Sequence, residues 1–162
     1  MPIVLPVQDP CYFCEIIHGR ADRWNVVAED ASTITLLNGR QYEAGQSMVV
    51  PLRHAPTLLD LTPADDAAVM AAARRVMQAM IAAFDVDGVL LYQNNGVGSA
   101  QEVPHFHLHV VPRRSGSDWG VGPPHLARLQ PPRPPRLDFT AVTDEKRQTV
   151  ETLRRVYRAS LP

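Results

Sequence analysis

Three of the chain's six histidines follow one another at two-residue intervals in the stretch QEVPHFHLHVVPR, residues 101–113. Residues i, i+2 and i+4 of a β-strand share one face, so this spacing predicts that His105, His107 and His109 point to one side of a strand. The apolar residues between them would then point into a core. A row of imidazoles can bind a metal ion or supply a nucleophile near neutral pH, whereas three solvated side chains on an exposed sheet face are the alternative.

A polar loop precedes this segment and contributes side-chain amides and two glycines. Its sequence, NNGVGSAQ, runs from Asn94 to Gln101. Glycines let backbone N–H groups approach a ligand closely, and amides donate hydrogen bonds to oxyanions. Such a loop alone is usually a turn, but beside three histidines it favours a phosphate-binding site.

The chain has two cysteines, Cys11 and Cys14. A disulfide framework would need more cysteines spread along the chain, so the pair predicts two ligands of a metal site or a redox motif. A structural zinc site needs four ligands, and His18 is a local candidate because positions i, i+3 and i+7 share a helix face. Two reduced, packed thiols are the alternative. Thioredoxin-like chemistry is disfavoured because no βαβ pattern surrounds the pair.

The composition is that of an ordinary globular protein. The 162 residues include 45% hydrophobic and 20% charged residues, and 16 basic against 17 acidic side chains leave a net charge of -1. This balance gives no basis for binding nucleic acid or an anionic membrane surface. No apolar stretch reaches the length of a membrane span, and the opening MPIVLPVQDP lacks the basic region of a signal peptide, so we expect a cytoplasmic protein.

Hydrophobic periodicity distributes these residues over short strands and one long helix. Thr62 as a cap, Pro63 in the first turn and the apolar spacing from Ala64 to Phe84 predict the long helix. A short helix is predicted around the two cysteines. Strands are predicted within residues 26–37, 46–52, 88–94 and 103–112. Short strands around one long helix predict an α+β domain.

The C-terminal part of the chain has a different character. Six prolines lie between Gly116 and Pro135, and they predict an irregular segment over about residues 116–140. Thr143 is predicted to cap a final helix over about residues 143–159. We expect a single domain over residues 1–162.

Three segments of the chain resemble the histidine triad (HIT) family of nucleotidyl hydrolases and transferases. The most specific is NNGVGSAQEVPHFHLHVVPR, residues 94–113, which resembles the His-x-His-x-His motif and the loop before it. CYFCEIIHG, residues 11–19, resembles an N-terminal Cys-x-x-Cys helix, and ITLLNGRQYEAGQSMVVPLRH, residues 34–54, resembles a ribose-binding strand and turn. The resemblance implies an antiparallel sheet of about five strands, a long helix, a short N-terminal helix and a homodimer.

The resemblance also implies roles for the phosphate-facing residues. His107 matches the middle histidine, the nucleophile that forms a nucleotidyl-imidazole intermediate. His109 matches the third histidine, which lies beside the phosphate and orients it. Asn94 and Gln101 match amides that hold phosphate oxygens.

Further positions match the nucleoside and metal sites of the family. Asn38 matches the ribose-hydroxyl position, and Phe13 and Ile16 match apolar residues of the base pocket, for which plain core packing is the alternative. In zinc-containing members, the ligands match the set Cys11, Cys14, His54 and His105. We prefer this set to the local one with His18, because it leaves His107 free and ties the N-terminal helix to the sheet.

The chain departs from the family pattern at two places. The usual Gly-Gln-Ser/Thr before the triad reads Ala100-Gln101-Glu102, and a Pro-Gly-His turn reads Ala44-Gly45-Gln46. A carboxylate at Glu102 predicts repulsion of substrates with several phosphates, or pairing with an amine of the leaving group. The alternative is that Glu102 turns outward into water.

These observations predict a nucleotidyl hydrolase that cleaves at the α-phosphate of a phosphoramidate, adenylate or dinucleoside polyphosphate. A nucleotidyltransferase or phosphorylase would use the same intermediate with a different acceptor. A nucleotide-binding protein without turnover is the third hypothesis, which the changes at Ala100 and Glu102 keep open and the intact His107 and His109 disfavour. We further expect a structural zinc ion and a homodimer.

Overall fold

Five strands form one antiparallel sheet in the computed structural model, which describes residues 3–117 and 142–159. The strands are β1 (Val26–Glu29), β2 (Thr33–Leu37), β3 (Ser47–Pro51), β4 (Gly88–Tyr92) and β5 (Leu108–Arg113). The helices are α1 (Tyr12–Ile17), α2 (Pro63–Ala83) and α3 (Asp144–Ala159). The order in the sheet is β1-β2-β3-β5-β4, so β1 and β4 form its edges. The predicted α+β fold with a five-stranded antiparallel sheet is confirmed.

The central strands are buried on both faces, because helices cover the sheet from either side. Alternating residues of β2 and β3 enter two separate apolar clusters. Leu37 and Val49 pack with α2 and α3, whereas Leu36 and Val50 pack with α1 on the opposite face. The α1 side of the sheet therefore has a wall of its own, where the histidine side chains meet the N-terminal helix.

Helix α2 begins with a complete capping box. The Thr62 side chain accepts a hydrogen bond from the Asp65 N–H, and the Asp65 carboxylate accepts one from the Thr62 N–H. These bonds, with Arg53, lower the pKa of Asp65 to about 2. The buried face of the helix consists of Val69, Ala72, Ala73, Val76, Ala79 and Met80. Within the described residues, no helix has the length and apolar character needed to cross a membrane.

Helix α3 lies beside α2 and next to β1. Thr143 precedes it and accepts a hydrogen bond from the Lys146 N–H. Arg154 donates to the Val26 carbonyl at 2.6 Å, which ties the helix to the sheet edge. Most of the predicted irregular segment, about 116–140, lies outside the described residues.

The histidine segment enters the sheet later than the sequence pattern predicts. The predicted strand begins near Val103, but β5 begins at Leu108, where pairing with β3 starts. Before that point the backbone bonds elsewhere, because the Phe106 N–H donates to the Ala55 carbonyl at 2.6 Å. The alternation of faces still holds, since Phe106 and Leu108 lie in the apolar cluster against α2.

Candidate active site and metal-binding group

A cavity of about 810 Å³ opens on the α1 side of the sheet. Its floor contains the buried His107 and His109, which are each 7% exposed. Phe13 of α1 and Trp24 form part of its apolar wall. Its mouth is bordered by the loop after β2 and by the loop that precedes the histidines. The cavity therefore brings together residues from four separate parts of the chain.

One nitrogen of His107 is committed to the backbone. Nδ1 of His107 lies 2.8 Å from the carbonyl oxygen of His105. A carbonyl only accepts hydrogen bonds, so Nδ1 carries the proton and Nε2 keeps its lone pair. Burial lowers the pKa of His107, so the ring is neutral at pH 7. A neutral imidazole with an available Nε2 on the cavity floor is suited to nucleophilic attack.

His109 is held beside His107 by an aromatic and an amide side chain. Its ring stacks on Tyr92, with centroids 4.3 Å apart and planes 13° apart, and lies 4.9 Å from the ring of His107. The side-chain oxygen Oε1 of Gln46 accepts the Tyr42 N–H at 2.8 Å, so the side-chain nitrogen Nε2 of Gln46 faces Nδ1 of His109 at 3.5 Å. Burial holds the pKa of His109 well below its usual range. This arrangement favours a neutral ring that donates from Nε2.

Two predicted binding residues line the cavity with an amide. Asn38 accepts the Arg40 N–H through Oδ1 at 2.9 Å, so its Nδ2 group remains as a donor. Asn94 also lines the cavity, at the end of β4 opposite the histidine segment. Phe13 lies there as well, with its ring 5.1 Å from that of His107. The structure therefore brings Asn38, Asn94 and Phe13 to the same cavity as the two histidines.

Gln101 lies elsewhere than the resemblance implies. Its amide nitrogen donates to the carbonyls of Pro56 and Val103 at 2.7 and 2.9 Å, and its oxygen accepts the Gly96 N–H at 2.6 Å. The side chain is 3% exposed and is absent from the cavity lining that the described residues form. Its hydrogen bonds are used within the protein, so Gln101 shapes the loop instead of presenting an amide to a phosphate.

Ile16 also differs from its implied role in a base pocket. It is completely buried in the apolar cluster between α1 and the sheet. Phe13, one helical turn earlier, reaches both this cluster and the cavity. The alternative of plain core packing therefore describes Ile16.

The preferred set of metal ligands forms a tight group. The Cys14 sulfur lies 3.3 Å from Nδ1 of His54 and 3.6 Å from Nδ1 of His105, which is also 3.6 Å from the Cys11 sulfur. A tetrahedral zinc ion sets its ligand atoms about 3.3 to 3.8 Å apart. His18, at the end of α1, is not part of this group. These four side chains could hold a metal ion.

A hydrogen bond to the backbone orients the His105 ring so that one nitrogen faces the metal-binding group. Nε2 of the fully buried His105 donates to the Pro51 carbonyl at 2.9 Å, so the Nδ1 lone pair faces the two sulfurs. Burial lowers the pKa of His105 to about 4 and, with the neighbouring Cys11, raises the pKa of the Cys14 thiol to about 11. A cation would offset the repulsion of adjacent thiolates. The donor set therefore fits a soft divalent metal ion.

The loop before the histidines has two residues with positive φ. Gly96 has φ +79° and Ala100 has φ +63°. A side chain at position 96 would collide with Ile3, whereas Ala100 occupies the left-handed region with a Cβ atom. Glycine is the residue that adopts such a conformation at least cost. The backbone conformation at position 100 therefore explains why the family pattern has glycine where this chain has Ala100.

The carboxylate of Glu102 is paired with an arginine, a partner that the sequence pattern does not predict. Nη1 of Arg40 lies 2.7 Å from its carboxylate oxygen. Both side chains line the cavity, and both are exposed. The arginine offsets the repulsion that a phosphate chain would meet. Arg40 gives no signal in the sequence, because residues 40 and 102 meet only through the fold.

The contact between Tyr92 and His109 was also not predicted, although strand pairing indicates it. Tyr92 lies directly opposite His109 in the antiparallel pairing of β4 with β5. Cross-strand neighbours pack face to face, so the correct register predicts this contact. The sequence contains both strands but not the register.

Comparisons with known proteins agree with this geometry. A model of the HIT domain family matches residues 22–116. A HIT-like protein of Mycobacterium tuberculosis is 34% identical over 124 residues, which cover 76% of this chain and 85% of that protein. The adenylylsulfatase HINT3 of Arabidopsis thaliana is 31% identical over 108 residues, so the chain covers 54% of that relative. A Zn-bound histidine triad family protein from Mycobacterium smegmatis matches with a TM-score of 0.73, at 27% identity, over 93% of this chain and 94% of that one.

Proposed function

This chain belongs to the histidine triad family, and on that premise we propose that it is a nucleotidyl hydrolase. It would cleave nucleoside-phosphoryl compounds at the α-phosphate through a nucleotidyl-histidine intermediate. The observation that carries the proposal is the 2.8 Å contact between Nδ1 of His107 and the carbonyl oxygen of His105. Nδ1 donates to this carbonyl, which leaves the Nε2 lone pair for attack on phosphorus.

The reaction proceeds in two displacements. In the first, Nε2 of His107 forms a bond to the α-phosphorus while the bond from phosphorus to the leaving group breaks. A sulfate or phosphate departs with the electron pair of that bond, and an amine also takes up one proton from solvent. In the second, water attacks the same phosphorus, the P–N bond breaks, and its electron pair returns to Nε2. One proton of the water is released to solvent, so the products are a nucleoside monophosphate and the free leaving group.

The remaining cavity residues bind and orient the substrate. His109 donates from Nε2 to a phosphoryl oxygen, and Asn94 offers a second amide donor. The Nδ2 group of Asn38 serves the ribose hydroxyls, and Phe13 packs against the base. The name of the relative HINT3, adenylylsulfatase, supports substrates in which a nucleotide is joined to a second acidic group.

The metal in the neighbouring group is zinc in this proposal. Two thiolates and two imidazoles are the ligand types that structural zinc sites use, and the ligand spacing fits tetrahedral coordination. The related protein from Mycobacterium smegmatis is described as Zn-bound. Zinc would tie α1 to the segment that carries His105, and all four positions are taken by protein, so its role is structural.

A homodimer is part of the proposal. Strand β4 is a free edge of the sheet among the described residues, and α2 exposes Met70 and Ile81 at 52% and 58%. Residues 70 and 81 are about three helical turns apart and share a face of α2, so both side chains would meet the same partner. The single-domain organisation and the cytoplasmic location remain predictions.

Product analysis tests the proposed function. The purified protein is incubated with adenosine 5′-phosphosulfate, a dinucleoside polyphosphate and adenosine 5′-phosphoramidate, with and without added phosphate. Release of AMP without phosphate is the expected result. Phosphate-dependent release of ADP would instead identify a phosphorylase, and binding of AMP without any turnover would identify a nucleotide-binding protein.

A further inference from the structure

We propose that Arg40 determines leaving-group specificity by receiving a leaving group that departs as an oxyanion, such as sulfate or phosphate. Glu102 is the counter-charge that holds the Arg40 guanidinium at the cavity mouth before substrate binds. This inference rests on the proposed hydrolase function. It assigns a role to the ion pair between Arg40 and Glu102, which no step of that function uses.

The ion pair lies where the leaving group must point. Attack and departure at phosphorus are in line, so the leaving group lies on the side opposite to Nε2 of His107. His107 is on the floor, at 7% exposure, whereas the side chains of Arg40 and Glu102 are 56% and 67% exposed at the mouth. Arg40, Glu102 and His107 all line the same cavity.

Charge at the mouth is limited to this pair. Among the described residues that line the cavity, Arg40 is the only lysine or arginine and Glu102 is the only carboxylate. A guanidinium has five N–H donors, and Glu102 contacts it at Nη1. Another edge of Arg40 can therefore bind two oxygens of a sulfate or phosphate group, a geometry that arginine favours.

The chemistry of departure also favours an oxyanion. Sulfate and phosphate leave with the electron pair of the broken bond and need no proton. An amine leaving group needs one, and His109 is a poor source because its buried ring is neutral and would become an imidazolate. Arg40 stabilises the charge that develops on an oxyanion without proton transfer. The amine-pairing role expected of Glu102 from the sequence is therefore replaced by pairing with Arg40.

The test compares two substrates that differ in the leaving group. Values of kcat/KM are measured for adenosine 5′-phosphosulfate and adenosine 5′-phosphoramidate with the wild type, Arg40→Gln, Glu102→Gln and Arg20→Gln. Arg20 is the control, because it is similarly exposed at 57%, is paired with Glu15 and is absent from the described lining of the cavity. Its substitution changes the net charge by the same amount.

Arg40→Gln should lower kcat/KM for the phosphosulfate by about 10- to 100-fold, the usual range for a lost charge-assisted bond. It should change kcat/KM for the phosphoramidate by less than about 3-fold, as should Arg20→Gln for both substrates. Glu102→Gln should raise the phosphosulfate value by about 2- to 5-fold, because it removes a negative charge beside the departing oxyanion while the glutamine oxygen can still accept from Arg40. Equal losses with both substrates in Arg40→Gln, or no loss with either, would overturn the inference.

A binding measurement separates this inference from the proposed function. Dissociation constants for adenosine 5′-phosphosulfate and AMP are measured by calorimetry with His107→Ala and with His107→Ala/Arg40→Gln. The second variant should bind the phosphosulfate at least about 10-fold more weakly than the first, with little change for AMP. If the wild type cleaves neither substrate, the hydrolase proposal fails while this comparison still decides the role of Arg40.

Discussion

Two neighbouring histidines, His105 and His107, lie in opposite chemical settings. His105 donates from Nε2 to the Pro51 carbonyl and turns Nδ1 toward two sulfurs. His107 donates from Nδ1 to the His105 carbonyl and keeps Nε2 for the cavity. The first ring is part of a closed group of four ligands, and the second faces an open cavity. The backbone carbonyl that each ring finds decides which nitrogen is available, and therefore which chemistry it performs.

Replacing His107 should abolish the chemistry of the open cavity and leave the group of four metal ligands intact. His107→Ala is expected to lower kcat by at least about 10³-fold, because it removes the nucleophile. Zinc content and melting temperature should change little. Steady-state kinetics and metal analysis provide the measurement, and transfer of an α-labelled nucleotide to the wild type but not to the variant is the positive counterpart. A variant with near-wild-type turnover would contradict covalent catalysis.

Replacing Cys14 should disrupt the group of four metal ligands. Cys14→Ser is expected to reduce bound zinc from about one ion per chain and to lower the melting temperature by at least about 5 °C, because metal binding contributes to folding. His18→Ala is the matched control, and it should leave both quantities unchanged. Metal analysis and thermal unfolding measure them. Loss of zinc in the His18 variant, with normal zinc in a His54→Ala variant, would favour the local helix site.

Low pH should lower the free energy of unfolding through the buried His109 on the cavity floor. Burial lowers the pKa of His109 in the folded protein, so below the ordinary value of 6.5 the unfolded chain binds a proton that the folded chain does not. Its stabilising contribution is therefore complete above that value and is lost as the pH falls. His109→Gln should make the free energy of unfolding less dependent on pH between 7 and 5, by at most about 1.4 kcal/mol per pH unit. Urea unfolding measures this, and identical slopes would refute it.

The smallest expected effect concerns Ala100, in the loop at the mouth of the cavity. Ala100 has φ +63°, so Ala100→Gly should raise the free energy of unfolding by about 0.5–1 kcal/mol through relief of backbone strain. Ala71→Gly, at an exposed position of α2, is the control and should lower it by about 1 kcal/mol. Chemical denaturation measures both. The same sign in both variants would argue against strain at position 100.

Much of the fold follows from the sequence because its signals are local, whereas the metal-binding group follows from the family resemblance. Alternation separates the faces of the strands, Thr62 and Asp65 mark the start of α2, and the resemblance implies the four ligands that the structure brings together. The ligand set itself joins residues far apart in sequence, so the local reading left His18 open. The role of a short segment can be predicted from the sequence where the residues that it contacts are also close to it in the sequence.

The structure differs from the expected roles where a side chain has two suitable partners. Gln101 is as suitable for backbone carbonyls as for a phosphate, and the loop geometry selects the carbonyls. Ile16 is apolar in either setting, and only the packing of α1 decides that it is core. The pairing of Arg40 with Glu102 joins loops 62 residues apart, which no periodicity reveals.

The contact between the start of the chain and the loop at the cavity mouth has a consequence for the order of folding. Val97 donates to the Val4 carbonyl at 2.8 Å, and Gly96 lies against Ile3 with no room for a side chain. The shape of the loop thus depends on a segment more than 90 residues away along the chain, which is exposed at Val4. Contacts between such distant residues form late, since the entropy of closing a long loop opposes them. We therefore expect the cavity mouth to be among the last parts of the protein to acquire its shape.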